Sequence, residues 1–335
     1  FKLDINWQAN HTHSIKTGLH FFNHDLKNEW YEIRNEFYNS GSDSAYAPEI
    51  FGDSSAYADV YNISPKEVAF YIQDKMEFDD MVINVGVRYD QFDPESVYPS
   101  DRRNPANQLI LPDSMMSLYP QAPVISQISP RVGFAYQLGG QAVLHFSYGH
   151  FFQMPPMYAM YQNNSFLVDP NNFVTRMGNT LLEPEKTITY EIGLWQELNQ
   201  VMALDVALFY RDIYNLLTTK TISTYNQVKY GLYSNKDYGN VRGLELKLDL
   251  ALGQLKGMVN YTLQYTRGNA DSPGQTFDRA GNNQDPVNRF IPMGWDQRHT
   301  LNGSLIYGTE KYGGSMTAYY NSGSPYTFTP QSESV

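Results

Sequence analysis

Cysteine is absent from the 335 residues. Without thiols there is no disulfide scaffold and no Cys-ligated zinc or iron–sulfur site. Basic residues are scarce: 24 Lys and Arg stand against 35 Asp and Glu, a net charge of −11. That balance argues against nucleic acid, whose binders carry a basic footprint. Long apolar runs are missing too, and none approaches the roughly 18 residues of a transmembrane helix. No GxSxG, HExxH or P-loop string occurs, so the motif-borne hydrolases and nucleotide enzymes have no foothold. No catalytic residue and no cofactor is expected.

Aromatics, in contrast, are abundant: 27 Tyr, 18 Phe and 4 Trp. Such composition opposes disorder. Yet mean hydropathy is negative, −0.48. In a soluble protein so many rings would call for a large core built from apolar runs, and those runs are absent.

Period-two alternation accounts for this combination. Residues 1–9 place Phe1, Leu3, Ile5, Trp7 and Ala9 on one face and Lys2, Asp4, Asn6 and Gln8 on the other. The same pattern recurs near 15–24, 67–78, 81–90, 130–138, 142–152, 186–196, 202–213, 240–250, 255–267, 295–307 and 314–321. Alternation of this kind marks strands with one apolar and one polar face, here roughly twelve of them. Short connections near 10–14, 79–80, 139–141, 197–201, 251–254 and 308–313 alternate with long ones near 25–66, 91–129, 153–185, 214–239 and 268–294. A compact soluble domain rarely carries so many long loops. A transmembrane antiparallel β-barrel does, with short periplasmic turns and long extracellular loops. Each strand then needs about 9–11 residues to cross, and tyrosine suits the interfacial girdles. The expected partners are the lipid bilayer and lipopolysaccharide, at the bacterial outer membrane.

One residue resists the pattern. Asp74 shares parity with Ile72 and Met76, on the face assigned to lipid. Either a bulge reverses its face or it lies near an interface. Inward positions carry small residues (Gly86, Gly133, Ser147, Gly149, Gly193) and charges: Arg88, Arg131, Glu191, Arg211, Glu245, Lys247 and Asp249. These charges either face a plug or line a solvated wall.

The segments AFYIQDKMEF (69–78) and INVGVRYDQFDP (83–94) resemble those of TonB-dependent outer-membrane receptors. So do ISPRVGFAYQL (128–138), LHFSYGHFFQMP (144–155), GNTLLEPEKTITYEIGL (178–194), LDVALFYRDIYNLL (204–217), GNVRGLELKL (239–248), GWDQRHTLNGSLIYG (294–308) and SGSPYT (322–327). They follow the order of that family, in a style closer to its Bacteroidota members. The resemblance implies a barrel of 22 strands around an N-terminal plug. It also implies import of scarce or bulky ligands (metal chelates, vitamins or glycans), driven by the TonB complex through the plug. Residues 1–335 are then expected to be part of the barrel domain, with the plug and the C-terminal strands outside this chain. The expected structure is an incomplete curved sheet with aromatics on its lipid side. A passive porin, an adhesin or secretion barrel, and a soluble β-rich binding module are the alternatives.

Within this scheme, 151–170 (FFQMPPMYAMYQNNSFLVDP) is the most suggestive extracellular stretch. Phe152, Met154, Met157, Tyr158, Tyr161 and Phe166 are the candidate ligand contacts, because exposed aromatic and Met surface often marks binding. Packing on neighbouring loops is the other reading of the same residues, and 157–162 has room for a turn of helix. Loop 25–66 adds Trp30, Tyr31, Phe37, Tyr38, Tyr46, Phe51, Tyr57 and Tyr61, rings suited to stacking on a glycan. His11 and His13 sit in a short turn at a spacing that could bind a metal, with a solvated turn as the other reading. His20 and His24 share a face near the outer rim. Asp278, Asn282, Asn283 and Asp285 lack the spacing of an EF-hand loop.

Overall fold

A computed structural model describes the chain except residues 38–45, 110, 170–174, 270–272, 285–289 and 327–335, and gives only the backbone of 236 and 237. Tyr38, Asp285 and Thr327, singled out above, lie outside the described residues.

The strands in chain order begin with β1 (Lys2–Gln8) and β2 (His13–Asn23). Four short strands follow in the first long loop: β3 (Leu26–Tyr31), β4 (Ile33–Asn35), β5 (Pro48–Ile50) and β6 (Ala58–Ile63). Next come β7 (Lys66–Glu77), β8 (Met81–Asp93), β9 (Ile125–Leu138) and β10 (Ala142–Gln153). Helix α1 (Met157–Tyr161) and β11 (Arg176–Met177) precede β12 (Glu185–Asn199), β13 (Met202–Ser223), β14 (Lys229–Leu252) and β15 (Leu255–Gly268). The chain continues through α2 (Gln275–Gly281), β16 (Ile291–Pro292), β17 (His299–Gly308) and β18 (Gly313–Asn321).

Twelve of these strands form one antiparallel meander, β1-β2-β7-β8-β9-β10-β12-β13-β14-β15-β17-β18. They match the twelve alternating segments of the sequence. Among the described residues β1 and β18 do not pair with each other, so the sheet is an open wall. No described helix is long and apolar enough to cross a membrane; this wall would cross with strands.

Register carries the alternation across the sheet. Leu19, Phe70, Tyr89 and Ile128 are successive cross-strand partners. So are Phe146, Ile192, Leu208, Leu244 and Leu263. Most of these side chains are exposed, so one face of the wall is apolar and uncovered. A row of tyrosines, Tyr148, Tyr190 and Tyr210, crosses three strands with ring centroids 5.1 and 6.5 Å apart. The short-turn end is built by local chemistry. Gly139 and Gly140 supply φ of 60° and 81° in the β9–β10 turn, where a side chain would be strained. Asn10 Oδ1 accepts from the backbone N–H groups of Thr12 and His13 at 2.8 and 2.9 Å, closing the β1–β2 turn.

The Asp74 question is resolved by register. The β2–β7–β8 ladders run without a bulge, with Asp74 opposite Ile15 and Val85. Asp74 keeps its outward parity, three residues from the short-turn end of β7.

Two boundaries differ from expectation. Residues 214–239 are not a long loop. After a register shift between Ile213 and Leu216, β13 and β14 resume pairing as far as Ser223↔Lys229. Alternation fails there because the hairpin is covered on both sides: Thr218 and Thr219 are fully buried. Trp295 is not in a strand either. β17 starts at His299, because the buried Asp296 carboxylate accepts from the Thr266 N–H at 2.7 Å. A side chain thus takes the place of the ladder carbonyl there.

Candidate functional site

Two clusters of buried hydrophobic residues lie at the long-loop end of the wall, where loop side chains pack on the ends of β8, β13 and β14. One cluster joins Ile63, Phe92, Met160, Tyr161, Leu182 and Tyr233. A second joins Phe166, Met177, Tyr230 and Leu232. Residues far apart in sequence therefore pack into one cap. Tyr161 fixes it in place: its hydroxyl donates to the Pro94 carbonyl at 2.9 Å, and burial pushes the phenol well above its ordinary range. Asn179 donates to the Tyr233 carbonyl at 2.9 Å and accepts from the Arg102 guanidinium at 3.0 Å.

Of the six candidate contacts expected in the third long loop, Phe152 belongs to β10, because its backbone still pairs with Lys186 of β12, and packing distributes the other five. Pro156 precedes α1, where its missing N–H costs nothing. The helix turns Met160 and Tyr161 into the first cluster, while Met154 and Met157 pack against its edge. Phe166, at φ 58°, enters the second cluster. Phe152 and Met154 border a small cavity shared with Phe22 and Phe92. Tyr158 alone of the six is widely exposed, at 49%.

Tyr158 opens onto a cavity of about 610 Å³ between the first and third long loops. The β3–β6 hairpin forms one side, where Trp30 is the cross-strand partner of Asp59. Trp30, Tyr57, Tyr61 and Tyr158 bring aromatic surface to the lining. Its polar groups are held by specific contacts. Asp59 accepts from the Asn163 N–H at 2.9 Å and, through its carbonyl, from Asn28 at 2.7 Å. Burial raises the Asp59 carboxyl above its usual range. Arg34 stacks 4.2 Å from the Tyr57 ring centroid and pairs with Glu32 at 3.3 Å. Arg176 pairs with Asp278 at 2.6 Å. Trp30, Tyr57 and Tyr61 were visible in the sequence as loop rings. Arg34, Asp59, Gln162, Asn163 and Arg176 were not singled out, because nothing local distinguishes them from ordinary loop polarity.

The inward charges divide into two groups. Arg88 and Arg131 border a cavity of about 420 Å³ on the inner face, together with Lys16 and the stripe Gly86, Gly133 and Gly149. Arg88 pairs with Asp90 at 2.7 Å, and Arg131 lies 4.7 Å from the Phe151 ring. Glu245 and Lys247 border a smaller recess with Asp205; Lys247 pairs with Asp249 at 3.0 Å. Between the groups, Glu191 faces Ser147 and Phe209 in register, and Arg211 stacks 4.8 Å from Phe209. His145 contacts Asp205 at 3.2 Å on the same face. Among the described residues no group of three His, Asp or Glu side chains is arranged to hold a metal.

Comparison with known proteins places this architecture. The family model described as TonB dependent receptor-like, beta-barrel, matches residues 1–334. No curated protein matches the sequence. Among solved structures, the outer membrane transporter YddB from Escherichia coli is similar with TM-score 0.61 at 12% identity, over 96% of this chain and 41% of that one. The siderophore receptor PirA from Acinetobacter baumannii gives TM-score 0.57 at 16% identity, over 92% and 40%. The FrpB iron transporter from Neisseria meningitidis (F3-3 variant) gives 0.55 at 13%, over 92% and 39%. These likenesses are of fold, and the chain spans about two fifths of the length of each of these structures. The twelve-strand meander and the family match over nearly its whole length together assign the chain to the TonB-dependent receptor family, in the outer-membrane β-barrel of that family.

Proposed function

We propose that this chain is part of the barrel wall of an outer-membrane active-uptake receptor, which captures a scarce or bulky ligand such as a metal chelate, a vitamin or a glycan. The family match over residues 1–334 carries the reading. The loop cap supports it: a pore for passive flow has no need of a buried core and an aromatic cavity above its wall. In this reading the wall belongs to a barrel of 22 strands. Its inner face, with Arg88, Arg131, Glu191, Arg211, Glu245 and Lys247, meets an N-terminal plug. The TonB complex acts through that plug and supplies the energy. The apolar outer face meets lipid, and its outer rim meets lipopolysaccharide. The chain itself performs no catalysis.

Ligand capture falls to the cavity between the first and third long loops, with Tyr158 as the contact retained from the third loop. The test is growth of a strain lacking the parent gene on panels of iron chelates, vitamins and glycans, with a TonB-deficient strain alongside. A defect on one ligand class, shared by both strains, is expected. A defect that persists as passive permeability loss and is indifferent to TonB would overturn the reading in favour of a porin.

A further inference from the structure

Two arginines stand side by side on the apolar face of the wall, and we propose that Arg242 and Arg267 bind a phosphate of a lipopolysaccharide headgroup. The inference rests on the reading that this face meets lipid and its outer rim lipopolysaccharide, and it names the residues and the group they hold.

Placement is the first observation. Arg242 is the cross-strand partner of Tyr210 and Tyr265, and Arg267 is the partner of Asn240. Both keep the parity of Leu244 and Leu263, and both are exposed. Arg242 lies ten residues from Leu252 and Arg267 twelve from Leu255, the short-turn ends of β14 and β15. A strand crosses the apolar layer of a bilayer in about 9–11 residues. Between those ends and the arginines, this face carries Leu244, Leu246 and Leu248 on β14 and Val259, Tyr261 and Leu263 on β15. The guanidiniums therefore sit where an apolar layer ends and headgroups begin.

Charge is the second. Arg242 and Arg267 are diagonal neighbours across the β14–β15 ladder, roughly 7–8 Å apart at the backbone. Among the described residues neither pairs with a carboxylate. Those beside them are committed elsewhere: Asp212 accepts from the hydroxyls of Tyr210 and Tyr238, and the buried Asp296 holds the Thr266 N–H and Arg298. Lys66, which shares the parity of Val68 and Phe70, is by contrast paired with Glu95. Like charges on neighbouring strands destabilise a sheet, so an anion that joins the two side chains completes the site. The guanidinium fork suits phosphate, which it binds through parallel hydrogen bonds.

The surroundings select a lipid. Leucines on the same strands give acyl chains an apolar track below the charge, which a free anion would leave unused. Tyr190, Tyr210 and Tyr265 continue the row of Arg242, and Asn240 lies beside Arg267. Phenols and an amide suit the hydroxyls of a phosphorylated sugar as donors and acceptors. The long-loop end of the wall is the side on which lipopolysaccharide is found in the reading above.

The experiment uses the full-length receptor, delipidated in detergent and titrated by native mass spectrometry. The probes are bis-phosphorylated lipid A, the same lipid A after phosphatase treatment, phosphatidylglycerol and inorganic phosphate. Phosphorylated lipid A is expected to bind about tenfold or more tightly than its dephosphorylated form. Arg242→Gln combined with Arg267→Gln is expected to remove that difference, with heat-modifiable gel mobility checking that the variant is folded. Equal binding of the two lipid A forms would overturn the proposal, as would a preference that survives in the double variant. Tighter binding of phosphatidylglycerol would overturn it in favour of a general anionic-lipid site, and inorganic phosphate binding as tightly as lipid A would reduce it to an adventitious ion only. Fractionation separates the two failures. Receptor recovered in the outer membrane without a phosphate preference sinks the site alone, whereas receptor recovered outside that membrane sinks the membrane reading as well.

Discussion

The His13 ring nitrogen Nδ1 lies 2.7 Å from the Asp74 carboxylate, on the apolar face of the wall near its short-turn end. This contact is how an acidic residue keeps the parity of Ile72 and Met76 without a bulge. The Asp74 carboxylate is satisfied on one oxygen only, since Oδ1 has no partner.

Removing one partner of such a pair leaves the other exposed to an apolar surround. His13→Leu alone should therefore destabilise the folded barrel by about 1 kcal/mol, discounted for the partial exposure of both groups. Asp74→Leu should be neutral or stabilising, and the double variant should recover the loss. Urea titration of the full-length protein in bilayers gives the cycle, and simple additivity would show that the pair is not coupled.

Gly193 on the inner face of β12 is demanded by a neighbour. A Cβ there would collide with His145 Nε2 and meet the Val206 carbonyl at 3.1 Å. Gly193→Ala should displace the His145 ring from Asp205 and cost about 1–3 kcal/mol. Combining it with His145→Ala should cost less than the sum of the two. Thermal unfolding of the four proteins tests this, and equal effects in both backgrounds would mean the backbone contact dominates.

Asp59 gives the cap a pH dependence. Burial raises its carboxyl above the unfolded value, so the folded loop binds the proton more tightly than the unfolded one. Its contribution to stability is full below the unfolded pKa of about 4 and is lost as pH rises through the higher folded value. Asp59→Asn keeps an acceptor for the Asn163 N–H, so it should flatten this dependence and slow hydrogen exchange at that amide near neutral pH. Faster exchange would mean that the ionised carboxylate is the better partner.

Tyr161 holds the cap by volume and by one hydrogen bond. Tyr161→Phe should cost about 1 kcal/mol, and Tyr161→Ala about 3–5 kcal/mol. The alanine variant should expose the loops to limited proteolysis while the barrel strands stay protected. Equal loss of protection in the barrel strands would overturn this expectation.

The sequence by itself determined the wall. Period-two alternation depends only on neighbours along the strand, so all twelve wall strands were legible. Local rules also reached the short turns and the helix at 157–161. The family resemblance was legible because its strings lie on those same strands. Only the tertiary structure decided the loops. Alternation vanishes where both faces are covered, which hid the extension of β13 and β14 through Thr218 and Thr219. A buried carboxylate replaced a ladder carbonyl at Asp296 and moved the start of β17. The candidate contacts shared one composition, yet packing sent Tyr161 inward and left Tyr158 open, although a spacing of three places both on one side of a helical turn. Arg34, Asp59 and Arg176 acquired meaning only when loops distant in sequence closed around one cavity, and no local pattern records such a meeting.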